Sequence, residues 1–77
     1  MSGHIIASIP KNNRERVSVH LDEFRNSILV NVRIWALNLS GEWVPTPKGV
    51  ALKPELLPPL IVALQAAADH FNLKPND

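Results

Sequence analysis

Residues 28–39, I-L-V-N-V-R-I-W-A-L-N-L, constrain the fold more than any other stretch of the chain. Ile28, Val30, Val32, Ile34 and Ala36 occupy alternate positions and are all apolar. Leu29, Asn31, Arg33, Trp35 and Leu37 lie between them and form a mixed set. A period of two belongs to a β-strand, whose successive side chains point to opposite faces. Slipping the register by one residue would bury Asn31 and Arg33, so the pairing of this strand is tightly specified. The apolar face must meet a helix or another chain. The mixed face is left as the natural binding surface.

Three more strands are expected around it. His4 to Ile9 reads as a short first strand stopped by Pro10, followed by turn chemistry at Lys11-Asn12-Asn13. Arg16 to Leu21 alternates Val17, Val19 and Leu21 with Arg16, Ser18 and His20, the pattern of a strand with one wet face. Asp22 to Ser27 is polar apart from Phe24 and is expected to turn the chain. Ser40-Gly41 supports a hairpin into a fourth strand that starts near Glu42, is interrupted by Pro45 and Pro47, and resumes over Lys48 to Leu52. Proline cannot donate to a ladder and prefers edges or bulges.

The rest of the chain is helical in pattern. Pro54 suits a first helical position, and Pro54–Leu57 reads as one separate turn. Pro58-Pro59 then breaks or kinks the path, because an interior proline removes a hydrogen bond and clashes with the preceding turn. The main helix is expected from about Pro59 to Phe71, with Leu60, Leu64, Ala67 and Phe71 at helical spacing and Ile61 and Ala68 beside them. Asn72 can cap its end, and Pro75 follows. The fold class is α+β: one domain over residues 1–77, with residues 1–4 and 73–77 as loose ends.

A chain of 77 residues buries only about 60% of its unfolded surface and is marginal alone. Small domains add disulfides, a metal or a partner chain. There is no Cys, and His4, His20 and His70 lie far apart without paired-ligand spacing, so no metal and no cofactor are expected. Self-association is the remaining common route, and a hydrophobic content of 45% agrees with it. The longest apolar run, Leu60 to Leu64, is far short of the ~20 residues that span a bilayer, and no export signal precedes it. An intracellular protein without membrane contact is expected.

Two features point to a ligand. The first 53 residues carry seven Lys/Arg against four Asp/Glu, whereas the remainder has only Lys74 against Glu55, Asp69 and Asp77. The segment R-I-W-A-L-N-L-S-G-E-W-V-P-T-P-K-G, residues 33–49, also places cations and indoles on adjacent strands. Such a surface can hold phosphates and stack bases, which is what a single-stranded nucleic acid requires. Catalysis is not expected. Cys and Tyr are absent, Ser8, Ser18 and Ser40 lie in no nucleophile motif, and no Gly-rich phosphate loop exists. His20 has no partner fixed by the sequence and reads as a surface residue.

The order β-β-β-β-α, with V-S-V (17–19), E-F-R (23–25), V-N-V-R (30–33), G-E-W-V-P (41–45) and K-G-V-A-L-K-P-E (48–55), resembles the C-terminal domain of the transcriptional coactivator positive cofactor four. The small bacterial and viral relatives of that domain are included, and Whirly-type proteins use a sheet in a related way. The similarity runs from about Ile9 to Leu64. It implies a curved four-stranded antiparallel sheet followed by one kinked C-terminal helix, in a homodimer whose paired sheets bind single-stranded DNA without strict sequence preference.

Carried over position by position, the resemblance assigns an aromatic-basic turn to Phe24 and Arg25. It gives a strand arginine to Arg33 and a Lys-Gly pair entering the fourth strand to Lys48 and Gly49. Arg16, Arg14 and Lys11 could extend the track. The family's tryptophan falls on Ala36, one position past Trp35, which stands where the coactivator has Tyr. Stacking is therefore open between Trp35 on the mixed face and Trp43 or Phe24. Ser27, Val44 and Pro47 replace basic residues, and two extra residues sit between Val19 and Phe24, so a shallower salt dependence is expected. RNA is not distinguished from DNA, and transcription or replication proteins are further candidate partners. The alternative is a coactivator-type protein-interaction module in which nucleic acid is secondary.

Overall fold

The computed structural model describes residues 3–73. Four strands, β1 (Gly3–Pro10), β2 (Glu15–Phe24), β3 (Ser27–Leu37) and β4 (Trp43–Leu52), pair in sequence order as one antiparallel sheet. A 3-10 turn, Pro54–Leu56, leads into a single helix, α1 (Leu57–His70). β1 begins within the segment expected to be a loose end, while residues 1–2 and 74–77, Pro75 included, lie outside the described residues.

The β2–β3 pairing is regular from Glu15↔Ala36 to Phe24↔Ser27. β2 thus runs through Asp22, Glu23 and Phe24, and the turn expected over residues 22–27 shrinks to Arg25-Asn26. Both turn residues have positive φ, 52° and 64°. A two-residue hairpin needs this because its twist must match that of the strands.

β4 is continuous through Pro45 and Pro47, contrary to the expected interruption. It is an edge strand, and the register shifts between Arg33 and Trp35 of β3, opposite the two prolines. There the Thr46 hydroxyl donates to the Ile34 carbonyl at 2.8 Å, replacing a ladder bond that proline cannot make. Gly49 faces Arg33 across the ladder with φ 153°, and a Cβ there would come within 2.5 Å of the Val32 carbonyl oxygen. Only glycine allows the two backbones to approach this closely.

α1 starts at Leu57, two residues before the expected Pro59, so Pro58 and Pro59 both lie within it. They sit in its first turn, where missing N–H groups break no intrahelical bond. The break in the path falls just before them, where the 3-10 turn gives way to the helix. At the other end Asn72 adopts φ 57°, Leu73 N–H donates to the Ala68 carbonyl and Asn72 N–H to that of Asp69. This is the Schellman closure, with Asn in the left-handed position usually held by glycine.

Val30 is the one buried hydrophobic residue among those described. Around it, Val17, Val19, Leu21, Val32 and Ile34 on the same sheet face are half-buried, and Ile9, Ile28 and Val50 are exposed. α1 does not lie over this face. It has no buried residue and leaves Ile61, Val62 and Leu64 in the open.

Candidate nucleic-acid interface

The mixed face is set by cross-strand pairs. Arg16 pairs with Trp35, Ser18 with Arg33, His20 with Asn31 and Asp22 with Leu29, so these side chains share one side of the sheet. β4 adds Trp43, Pro45 and Gly49 opposite Leu37, Trp35 and Arg33.

Two cation–aromatic pairs stand at opposite ends of this face. The Arg16 guanidinium lies 4.7 Å from the Trp43 ring centroid, and that of Arg25 lies 5.1 Å from the ring of Phe24. At the usual rise of a strand, Arg16 and Phe24 are about 26 Å apart along β2. Phe24 is exposed and Trp43 half-buried. Both rings keep surface available for a further flat partner.

Between the two pairs lies a bonded polar network. Arg33 is half-buried, and its Nη1 donates to the Thr46 carbonyl at 3.0 Å while Nη2 donates to Asn31 Oδ1 at 3.2 Å. Asn31 Nδ2 in turn donates to Asp22 Oδ2 at 3.0 Å, and His20 Nε2 lies 3.1 Å from the same oxygen. A proton on Nε2 satisfies that carboxylate and leaves Nδ1 as an acceptor. His20 is therefore not the surface residue expected from its strand position. It is 8% exposed, has a positioned partner, and meets Trp35 edge to face at 6.2 Å.

Trp35 lies on the mixed face, half-buried, between two recesses. One is lined by His20, Asp22, Asn31, Arg33 and Pro45, with His4 and Ile5 from β1; the other by Ser8, Arg16, Ser18 and Trp43. Trp35 Nε1, His20 Nδ1 and Ser18 Oγ are buried without a hydrogen-bond partner. Ser18, His20 and Asp22 follow one another along β2, but only His20 and Asp22 are bonded, so the row forms no nucleophile relay.

The other expected residues lie around this centre. Lys48 is exposed beside the bulge, its N–H donating to Thr46 Oγ1 at 3.2 Å. Arg14 and Lys11 are on the β1–β2 turn, at the Trp43 end of the sheet. Lys11 Nζ is 3.3 Å from Glu15 Oε1. Hydrogen bonds from Asn12 and Lys11, with the Lys11 charge, hold the Glu15 carboxyl below its usual range.

Sequence reasoning missed Asp22 and Asn31 as members of the site and treated His4 and His20 as distant. The even-numbered alternation of β2 extended to Asp22 would have found the first. The approach of His4 to His20 depends on the β1–β2 register, which shifts between Ile5 and Ala7. No group of three His, Asp or Glu that could hold a metal ion occurs among the described residues, and no helix there is long and apolar enough to cross a membrane.

This sheet-and-helix arrangement is matched by known proteins. The family model described as Transcriptional Coactivator p15 (PC4) matches residues 9–63, most of the chain. The chain belongs to the PC4 family. A PC4 homolog from Burkholderia pseudomallei K96243, BPSL1147, is 33% identical and superposes with a TM-score of 0.81. The match covers 87% of this chain and 90% of the homolog in an orthorhombic crystal form, or 98% in a tetragonal form. The bacteriophage T5 homolog of the eukaryotic coactivator PC4, implicated in recombination-dependent DNA replication, is 24% identical with a TM-score of 0.73. That match covers 91% of this chain and 81% of the phage protein, and it shows the shared fold. No curated protein matches the chain closely. The PC4 fold thus accounts for the bare sheet with one trailing helix. Asp22, His20 and the Arg16–Trp43 stack are read from this chain's own geometry.

Proposed function

We propose that this PC4-family chain binds single-stranded DNA on the mixed face of its sheet, as a homodimer, in transcription regulation or in replication and repair. The observation that carries the reading is the placement of the Arg16–Trp43 and Arg25–Phe24 pairs at the two ends of one face. Each offers a ring to a base and a cation to a neighbouring phosphate. Base–aromatic stacking is worth about 1–3 kcal/mol per base and tolerates any sequence. Arg33 retains three N–H groups beyond the two engaged in the protein, and Lys48 extends the basic surface beyond the Gly49 approach. The T5 relative's implication in DNA replication and the coactivator description of the family both agree with a nucleic-acid role.

The dimer rests on exposed apolar surface. The chain presents 6321 Å², against about 4,700 Å² for a compact monomer of its mass. Its radius of gyration is 14.1 Å, against about 11.5 Å. The uncovered side of the sheet and the unburied α1 together supply what a second copy would cover. Sedimentation is expected to give a dimer at micromolar concentration; a stable monomer would contradict it.

Labelled oligo-dT titrated against duplex of equal length tests the interface. Single strands are expected to bind better at near-physiological salt, because a duplex hides its base faces. Equal binding of both would leave electrostatics alone as the mechanism. Asp22 on this face, beside the Phe24 end, favours a second reading, a protein-interaction module with weak nucleic-acid binding, since a carboxylate repels phosphates. Absence of salt-dependent oligonucleotide binding would select that reading.

A further inference from the structure

The recess between Asp22 and Trp35 has a volume of about 540 Å³, within the range of pockets that hold small planar ligands. Its walls are apolar, formed by Trp35, Pro45 and Ile5. Its polar groups converge: Asp22, Asn31 and Arg33 form one bonded chain, with His20 on the same carboxylate oxygen. Asn31 is 6% exposed and His20 8%, so these groups are fixed by packing as well as by bonding.

Both bonds to the Asp22 carboxylate fall on Oδ2. Oδ1 accepts from none of the described residues, and the side chain is 30% exposed. A carboxylate oxygen left free beside an apolar wall repels phosphate and can accept from a ligand donor. On a nucleic acid strand that donor is a base. Cytosine, adenine and guanine carry an exocyclic amino group, and a carboxylate accepts well from cytosine N4. Thymine presents the carbonyl O4 at the corresponding position, acceptor against acceptor, and its one Watson–Crick donor, N3–H, is flanked by the O2 and O4 carbonyls, which repel the same carboxylate. Arg33, held across the recess by Asn31 and Thr46, can donate to a carbonyl on the same base.

We propose that this recess reads one base of the bound strand and prefers a base with an exocyclic amino group to thymine. The inference rests on the single-strand reading above and adds a base preference to it. Asp22 is the discriminating residue, His20 and Asn31 orient its carboxylate, and the stacking pairs at the ends of the face supply sequence-independent affinity.

The test compares oligo-dC with oligo-dT of equal length at pH 8, two pyrimidines of similar stacking area. Oligo-dC is expected to bind about fivefold tighter or more, the lower end of the discrimination given by one such contact. Replacing cytosine by N4,N4-dimethylcytosine removes the donor without touching the protein and should abolish the gain. Asp22→Asn, whose amide also donates, should bring the dC-to-dT ratio close to one. Equal affinity of the unmodified protein for dC and dT, or a gain that survives N4-dimethylation, overturns the base preference and leaves the single-strand reading standing. Failure of both oligonucleotides to bind removes both.

Discussion

The Arg33 guanidinium donates to the Thr46 carbonyl at 3.0 Å, across the point where the β3–β4 register shifts. The bulge frees that carbonyl from the ladder, and Arg33 captures it. The same guanidinium reaches Asn31, so one side chain ties the bulge of the edge strand to the polar centre of the sheet.

Lysine cannot span both acceptors from a single ammonium. Arg33→Lys is expected to lower stability by about 1–2 kcal/mol and to weaken oligo-dT binding while keeping the charge. Thermal melts and titrations of this variant measure the two effects. Unchanged stability would mean that the guanidinium bonds do not hold the bulge.

Gly49→Ala places a methyl group 2.5 Å from the Val32 carbonyl oxygen, closer than real contacts allow. β4 must move away from β3. A loss of at least about 2 kcal/mol is expected, by chemical denaturation. Gly41→Ala is the comparison, since a Cβ there meets nothing within 4 Å although φ is 81°. Its cost should be the backbone strain alone, about 1 kcal/mol.

Arg25 occupies a left-handed position, φ 52°, that disfavours any side chain with a Cβ. Arg25→Gly should relieve that strain, yet remove the cation beside the Phe24 ring. Stability is expected to hold or rise by up to about 1 kcal/mol while oligo-dT affinity falls and its salt slope flattens. An affinity equal to that of the unmodified protein would exclude Arg25 from the interface.

The two tryptophans should separate. Trp43→Ala removes the ring under Arg16 at an edge strand and should weaken binding more than it destabilises the fold. Trp35→Ala empties the wall between two recesses and should cost about 2–4 kcal/mol, because half-burial reduces the full penalty for a core aromatic. Trp35→Phe keeps most of the ring and deletes the unpartnered N–H. It should be neutral or stabilising by about 1 kcal/mol. A marked loss in Trp35→Phe would show that the indole N–H has a partner in solution.

Glu15 is held below its usual range by Asn12 and Lys11. A carboxyl whose folded value is depressed adds stability that is complete above its unfolded value. That stability is lost as pH falls through the folded value. The melting temperature of the unmodified protein should therefore fall more steeply than that of Glu15→Gln as pH drops below the ordinary glutamate range. Parallel pH profiles would remove the β1–β2 turn from the acid response.

Alternation and helical spacing are local properties of the chain, so the strands, the helix, their order and the two faces of β3 were legible in the residues alone. Arg33 and Trp35 could be placed on one face from their spacing alone. Local chemistry misjudged the bounds at three places where a neighbouring strand or a helix end decides. Arg25-Asn26 closes as a two-residue hairpin because Phe24 pairs with Ser27. Pro45 and Pro47 remain in β4 because an edge strand can bulge around them. Pro58 and Pro59 begin the helix because its first turn leaves their positions unbonded. The site itself was decided only in three dimensions. Arg16 meets Trp43, Asp22 meets Asn31, and His4 joins His20 in one recess through lateral pairing across the sheet. Those neighbours are fixed by register and by the irregularities at Ile5/Ala7 and Arg33/Trp35. A shift of one residue exchanges every lateral contact while leaving the alternation of each strand unchanged.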